Sequence, residues 1–261
     1  TIAFELAVLK DRRLTQRIKR GGGGLAGIAS VVALEVKSLS RSLASAGVTQ
    51  IRWLNAQQLN TAVRRALDPE TAVAKARAGV MTGTNSAMVR PMAQHEEWDH
   101  LRIDESYHQV FWVADWPTSD VPVGFLEELI SDGGEFTRVV TLQMIPVSKA
   151  KALKRIQEAQ TDLDAAGLIR EKVGQRETRE QEAEAEDVTA REEDLAEGYG
   201  DLEFRGFVTI SAPTRELLDE ARNGIEVAAQ ESQIEVRPMY FQQAAAFNTA
   251  ALPLGIGTVK K

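Results

Sequence analysis

Three groups of residues could do chemistry, and each would do a different kind. The stretch "RGGGGLAG" (20–27) places four consecutive glycines ahead of an apolar run. Bare backbone N–H groups at the start of a helix favour anions, which is how glycine-rich turns cradle phosphate. A phosphate loop of the Walker type also needs a Lys-Ser or Lys-Thr pair at the helix start, to reach the terminal phosphates and magnesium. Here Leu25-Ala26-Gly27 follow instead. A dinucleotide fingerprint needs strand, glycine turn and helix in immediate succession. In this chain the mostly polar segment 10–20 separates the first apolar run from the glycines. The glycines therefore read as a bend, and no cofactor is assigned.

The second group is "HEEWDHLRIDE" (95–105) with His108 beyond it. His95, His100 and His108, with Glu96, Glu97, Asp99, Asp104 and Glu105, are the residue types from which a metal centre is built. His95 and His100 do not share a helix face, however, and His108 opens a strand. A charged surface connection explains the same letters, so no metal site is assigned. The third group pairs "VFWV" (110–113) with "RGFVTI" (205–210). RNA-recognition domains carry an R-G-F motif on their third strand and stack bases on aromatics there and on the first. Phe111 and Phe207 would be the stacking rings. The motif's second aromatic is missing and the formal net charge is −7, which disfavours nucleic acid. Covering of Phe111, Val113 and Phe207 by the N-terminal unit or by a partner is the preferred reading, and a single-stranded nucleic-acid-binding module is the alternative. No serine sits in a G-x-S-x-G context, and no catalytic residue is assigned.

The elements that position these residues follow from periodicity. "TIAFELAVL" (1–9) reads as a strand, and Leu25–Ala46 as a helix through Ile28, Val31, Val32, Leu34, Val36, Leu39 and Leu43, closed by Gly47. "VTQIRWL" (48–54) reads as a second strand and residues 55–67 as a helix stopped by Asp68-Pro69. Residues 1–69 thus form a small β-α-β-α unit, and 70–106 a connecting segment. From 107 to 257 the pattern repeats itself. "HQVFWVADW" is a strand, Asp120 and Pro122 open the helix "VGFLEELI", and "TRVVTLQMI" alternates as a half-buried strand must. "LEFRGFVTISA" follows, with Phe204, Val208 and Ile210 on one face. Thr214 then caps a helix with a stripe of Leu217, Leu218, Ala221, Ile225 and Ala228, and "QIEVRPMY" closes the unit with Ile234 and Val236 inward. Two β-α-β units in series specify an α/β fold of the α+β kind, a ferredoxin-like βαββαβ sheet. Strands are expected near 108–115, 137–146, 202–212 and 233–240.

Between the units, 148–198 reads as an inserted helical hairpin turning between Gly167 and Gly174. Its first helix has a narrow seam of Leu153, Ile156, Leu163 and Ala166. Its second carries Glu184, Glu186 and Asp187 amid further carboxylates, so one face must be solvated or meet a basic partner. Cysteine is absent, which removes disulfides and thiolate metal sites. No apolar run is long enough to span a membrane. The opening on Thr1 reads as a processed or excised chain, leaving room for a targeting or membrane segment ahead of it.

"QQAAAFNTAALPLG" (242–255) resembles the ending of the N-terminal domain of conjugation ATPases in type IV secretion. "DESYHQVFWVADWP", "GFLEELI" and "AREEDLAEGYGDLEFRGFVTISA" resemble, in the same order, an actinobacterial conjugative-element family in which that domain stands without the motor. The likeness covers roughly residues 99–257 well, and is carried by Asp104, His108, Trp112, Trp116, Pro117, Gly198, Gly206, Phe247, Leu252, Pro253 and Gly255. Ile256 stands where a basic residue is expected. The resemblance implies a non-enzymatic domain at the cytoplasmic face of the cell membrane, belonging to a membrane-anchored protein. Its partners would be the secretion ATPase or other transfer-apparatus subunits, with self-association as a further option. Trp116, Pro117, Phe247, Leu252 and Pro253 would join the acidic helix in partner binding.

One expected outcome follows from the missing phosphate grip. Millimolar Mg-ATP should leave the melting temperature unchanged, whereas a ligand at a hundred times its dissociation constant adds about 2.7 kcal/mol. A shift of several degrees that disappears in Gly22→Ala/Gly23→Ala would contradict this.

Overall fold

The structure is a computed structural model that describes residues 2–4, 12–72, 89–117, 121–130, 136–173 and 178–255. Along these run α1 (Arg12–Arg20), α2 (Gly24–Ser45), α3 (Ala56–Leu67), β1 (Gln94–Glu96), β2 (Leu101–Ile103), β3 (Ser106–Asp115) and a short α4 (Glu127–Ile130). Then come β4 (Thr137–Val147), α5 (Lys149–Val173), α6 (Arg179–Glu197), β5 (Asp201–Ala212), α7 (Arg215–Glu231), β6 (Glu235–Pro238) and α8 (Gln243–Ala250). The fold is mixed α/β around one open sheet in the order β1-β2-β3-β5-β4, with β6 also on β3. β2 pairs antiparallel with Ser106–His108, and β6 antiparallel with the stretch of β3 from Phe111 to Asp115.

The chain divides into two compact units, 1–140 with 208–261, and 141–207. The core of the first is built as the alternation demands. Phe111 and Val113 of β3, with Val208, Ile210 and Ala212 of β5, meet Leu218, Ala221, Ile225 and Ala228 of α7, with Leu129 of α4 beneath. The Thr214 hydroxyl accepts the Leu217 N–H at 3.3 Å and so starts α7. The second unit is an α-helical hairpin on the outer halves of β4 and β5. Its own core is small: Ala152, Ile156 and Leu195, with Val147 and Val188 packed against them. Arg155 reinforces the base by pairing with Glu203 at 3.0 Å.

Several expectations need correction. Residues 48–54 form no strand. Val48, Trp53 and Leu54 remain about two-fifths exposed, and the Trp53 indole donates to Ser40 Oγ of α2 at 2.9 Å. A β-rich stretch with no neighbour to share its backbone hydrogen bonds stays coil. Residues 2–4 are likewise not in a strand, and the rest of 1–9 lies outside the described residues, as do Asp120, Gly174 and Ile256. The described part of the N-terminal unit is therefore helical. The helix expected at 123–130 is confined to α4, preceded by a turn. The connecting segment holds β1 and β2, each three residues long and too short to show a period.

The glycine run turns the chain between α1 and α2, whose axes meet at 113°. Gly22, Gly23 and Gly24 take φ of 104°, 67° and 48°, where L side chains are strained. Gly27 serves differently, since a Cβ there would lie 2.2 Å from the Ile18 carbonyl oxygen. The helices touch because that position has no side chain. Gly27→Ala should loosen α1 at a cost of about 1–3 kcal/mol, measured as faster tryptic cleavage within Arg12–Arg20. Unchanged cleavage would contradict the close approach.

Candidate functional site

The densest polar constellation of the first unit lies where α3 meets the sheet. A capping box starts α3, with the Gln58 N–H donating to Asn55 Oδ1 at 2.9 Å and the Asn55 N–H to Gln58 Oε1 at 3.0 Å. The helix ends at Leu67, delivering Asp68 into the interior at 1% exposure. Asp68 accepts from Arg64 Nη2 at 2.9 Å, from Ser106 Oγ at 2.8 Å and from the Thr71 N–H at 3.3 Å. His108, fully buried on β3, places Nε2 3.0 Å from the Leu67 carbonyl and Nδ1 2.7 Å from Ser211 Oγ. A carbonyl only accepts, so Nε2 carries the proton and Nδ1 accepts from the serine hydroxyl. The ring also sits 4.6 Å from that of Phe247 on α8. Burial pushes the imidazole pKa down to about 4, against the smaller upward pull of Leu67 O and Asp68. It is neutral at physiological pH.

Two further carboxylates complete the belt. Asp104 turns the chain between β2 and β3 at φ 49°, accepts the Met92 and Ala93 N–H groups at 2.7 and 2.9 Å, and forms an ion pair with Arg64 at 2.6 Å. Burial alone would raise its pKa, but the Ala93 and Met92 N–H groups and Arg64 outweigh this and hold it below the usual value. Asp99 behaves alike. Burial raises it, while His100 at 2.8 Å and Arg215 at 2.7 Å bring it down. Arg64, Asp68 and Asp104 line a cleft of about 630 Å³ with Met92, His95 and Arg102. Their charges are already spent on one another. Gln243 fills a gap along β3: its Oε1 accepts the Val110 N–H at 2.8 Å, at the point between the β2 and β6 pairings.

The residues singled out from sequence scatter. His95 turns to Glu97 at 2.9 Å and His100 to Asp99, while His108 lies buried behind them. No group of three or more His, Asp or Glu among the described residues could hold a metal ion. Phe111 and Phe207 are 0% and 6% exposed. Phe111 belongs to the α7 core with Val208, and Phe207, adjacent to Val208, points to the opposite face. Base stacking on this pair is thereby overturned, because both rings are covered and they do not share a face. Phe247 is also buried, so it anchors α8 and offers no open surface. Trp116 packs half-buried against the first core, and Pro117, Leu252 and Pro253 are half-buried. Glu186 is exposed, and the side chains of Glu184 and Asp187 lie outside the described residues.

What sequence reasoning missed is a surface of the second unit. Leu142, Met144, Leu202 and Phe204 are 45%, 59%, 49% and 51% exposed, at alternate positions of β4 and β5. β4 ends the strand order, and from Val139 to Val147 it carries no charged residue. Edge strands are usually blunted by charge. The alternation in "TLQMI" was the available signal.

The pH dependence of stability tests the buried histidine. Its folded pKa lies below the unfolded value near 6.5, so its contribution is complete above pH 6.5 and is lost as pH falls toward 4. The loss is roughly 3 kcal/mol at about 1.4 per unit. Asp99 and Asp104, with lowered values, act only below their ordinary range near 3.8. Denaturant unfolding of the parent should therefore weaken between pH 7 and 4.5. His108→Gln should be less stable at pH 7 and nearly flat across that window. An equal slope in both proteins would contradict the assignment.

Residues 8–113 match the family model EccE, described as "Putative type VII ESX secretion system translocon, EccE". No curated protein matches the chain. The matched segment runs from α1 nearly to the end of β3 and includes Arg64, Asp68, Asp104 and His108. It stops short of the helical hairpin, α7 and α8. The family is of a type VII system, which differs from the type IV system expected from the sequence. Over residues 8–113 this chain is similar to a secretion-system family.

Proposed function

We propose that the chain is a non-enzymatic docking domain of a membrane-associated secretion apparatus, engaging a basic subunit through its second unit. The observation that carries the reading is the combination of an uncharged, partly apolar edge with an acidic helix. Leu142, Met144, Leu202 and Phe204 offer apolar area at the edge ribbon, while α6 holds nine acidic residues against two basic ones. Such a face selects a partner with complementary charge and an apolar centre. In the first unit the buried charges pair with each other, which suits a rigid platform. The order β6-β3-β5-β4, with α4 and α7 in the two crossovers, supports the ferredoxin-like reading of that platform.

The partner's identity belongs to the same proposal. The type IV resemblance rests on residues 99–257, most of which lie beyond the segment matched to the type VII family. A secretion ATPase or another apparatus subunit on the cytoplasmic side satisfies both.

Two sets of substitutions test this. Glu186→Lys, Glu193→Lys and Asp194→Lys, all exposed, together bring the helix's net charge from −7 to −1, and Met144→Asp breaks the apolar row. Each should leave stability within about 0.5 kcal/mol, as surface changes do. Each should also lower recovery of apparatus subunits, in affinity capture from membranes of producing cells, by about tenfold. Undiminished recovery with both variants would overturn the docking role.

A further inference from the structure

We infer that the α1–α2 elbow lies on an anionic bilayer surface, a contact separate from the proposed docking face. Two features meet at the glycine turn. α1 carries Arg12, Arg13, Arg17, Lys19 and Arg20 and no acidic residue. Immediately across the turn, Gly24–Leu34 of α2 holds no charged residue, and apart from the buried Val31 its large side chains are exposed: Leu25 is 86% exposed, Leu34 54%, and Ile28 and Val32 38% each. Leu25, Ile28 and Val32 stand at i, i+3 and i+7, on one stripe. The opposite positions, Gly27 and Val31, are the buried ones, and Gly27 abuts Ile18 of α1. The apolar stripe is therefore the side of α2 turned away from its own contact with α1.

Charge and chemistry decide what covers that stripe. The whole chain is acidic at −7, yet this corner concentrates positive charge beside apolar side chains. Apolar area alone, or basic charge alone, gives marginal membrane binding; the two together give stable attachment to anionic lipid. The geometry fits lying on the surface. No single helix among the described residues is long and apolar enough to cross a membrane, and the α1–α2 pair that passes by length and composition is bent by 113°. An elbow bent by 113° can lay α2's stripe among acyl chains and set Arg12 and Arg20 of α1 at phosphate level, while Arg17 stays paired with Glu35 of α2.

Sedimentation of the purified chain with vesicles tests this without any protein partner, so its outcome is independent of the docking proposal. Vesicles of phosphatidylcholine mixed with phosphatidylglycerol should bind the chain at least about tenfold more tightly than phosphatidylcholine alone, and the binding should weaken as salt rises. Arg12→Glu with Arg13→Glu should reduce binding about tenfold, and so should Leu25→Ser with Ile28→Ser. Far-UV spectra and melting of both variants should match the parent, since these side chains are exposed. No binding to the mixed vesicles, equal binding to neutral ones, or full binding by either folded variant would overturn the inference.

Discussion

A neutral imidazole clamped between the end of α3 and the middle of the sheet sets the geometry of the first unit. His108 holds the last carbonyl of α3 with one nitrogen and Ser211 of β5 with the other. Burying a ring with both nitrogens satisfied costs little, whereas burying it unpaired would cost on the order of 1–3 kcal/mol per group. That requirement fixes where α3 ends, and α3's end fixes Asp68. Asp68 in turn needs Arg64 and Ser106, and Arg64 reaches Asp104 at the β2–β3 turn. The other elements on this side of β3 are placed by satisfying one polar group after another.

This explains what could be read in the sequence and what could not. The strands β3, β4, β5 and β6 and helix α7 were legible because a two-residue or 3.6-residue alternation of apolar side chains is local information, whereas β1 and β2 are too short to show one. The hairpin was legible from its helix-favouring composition, but its turn was placed too early: α5 runs through Gly167 to Val173. The belt was not, since Asp68 and Ser106 are 38 residues apart and His108 and Ser211 are 103 apart; only the fold brings them together. Gln243 carries no local signal of its role, yet its amide stands in for a strand at Val110. "VTQIRWL" misled for the converse reason: its β propensity is real, but propensity without a neighbouring edge does not make a strand. Phe111 and Phe207 were paired as rings on one face, which their strand positions do not allow.

The functional division follows the same physics. Asp104 and His108, singled out by the conjugative resemblance, prove to be framework, as does Phe247. They stabilise a platform, and Asp104 meets the cleft with its charge paired to Arg64. Exposed apolar and charged area gathers elsewhere, at the β4 ribbon with its acidic helix and at the elbow of α1 and α2. The segment similar to a secretion-system family carries the elbow and the belt, while the proposed docking ribbon falls in the part of the chain beyond it.

Photocrosslinking in living cells tests the central claim most directly. A photoreactive amino acid at Met144, 59% exposed on the ribbon, is compared with one at Val227, 55% exposed on α7. The account predicts an adduct between position 144 and a secretion-apparatus subunit, identified by mass spectrometry and absent from position 227. Adducts that are identical at the two positions, or that contain no apparatus subunit, would contradict it.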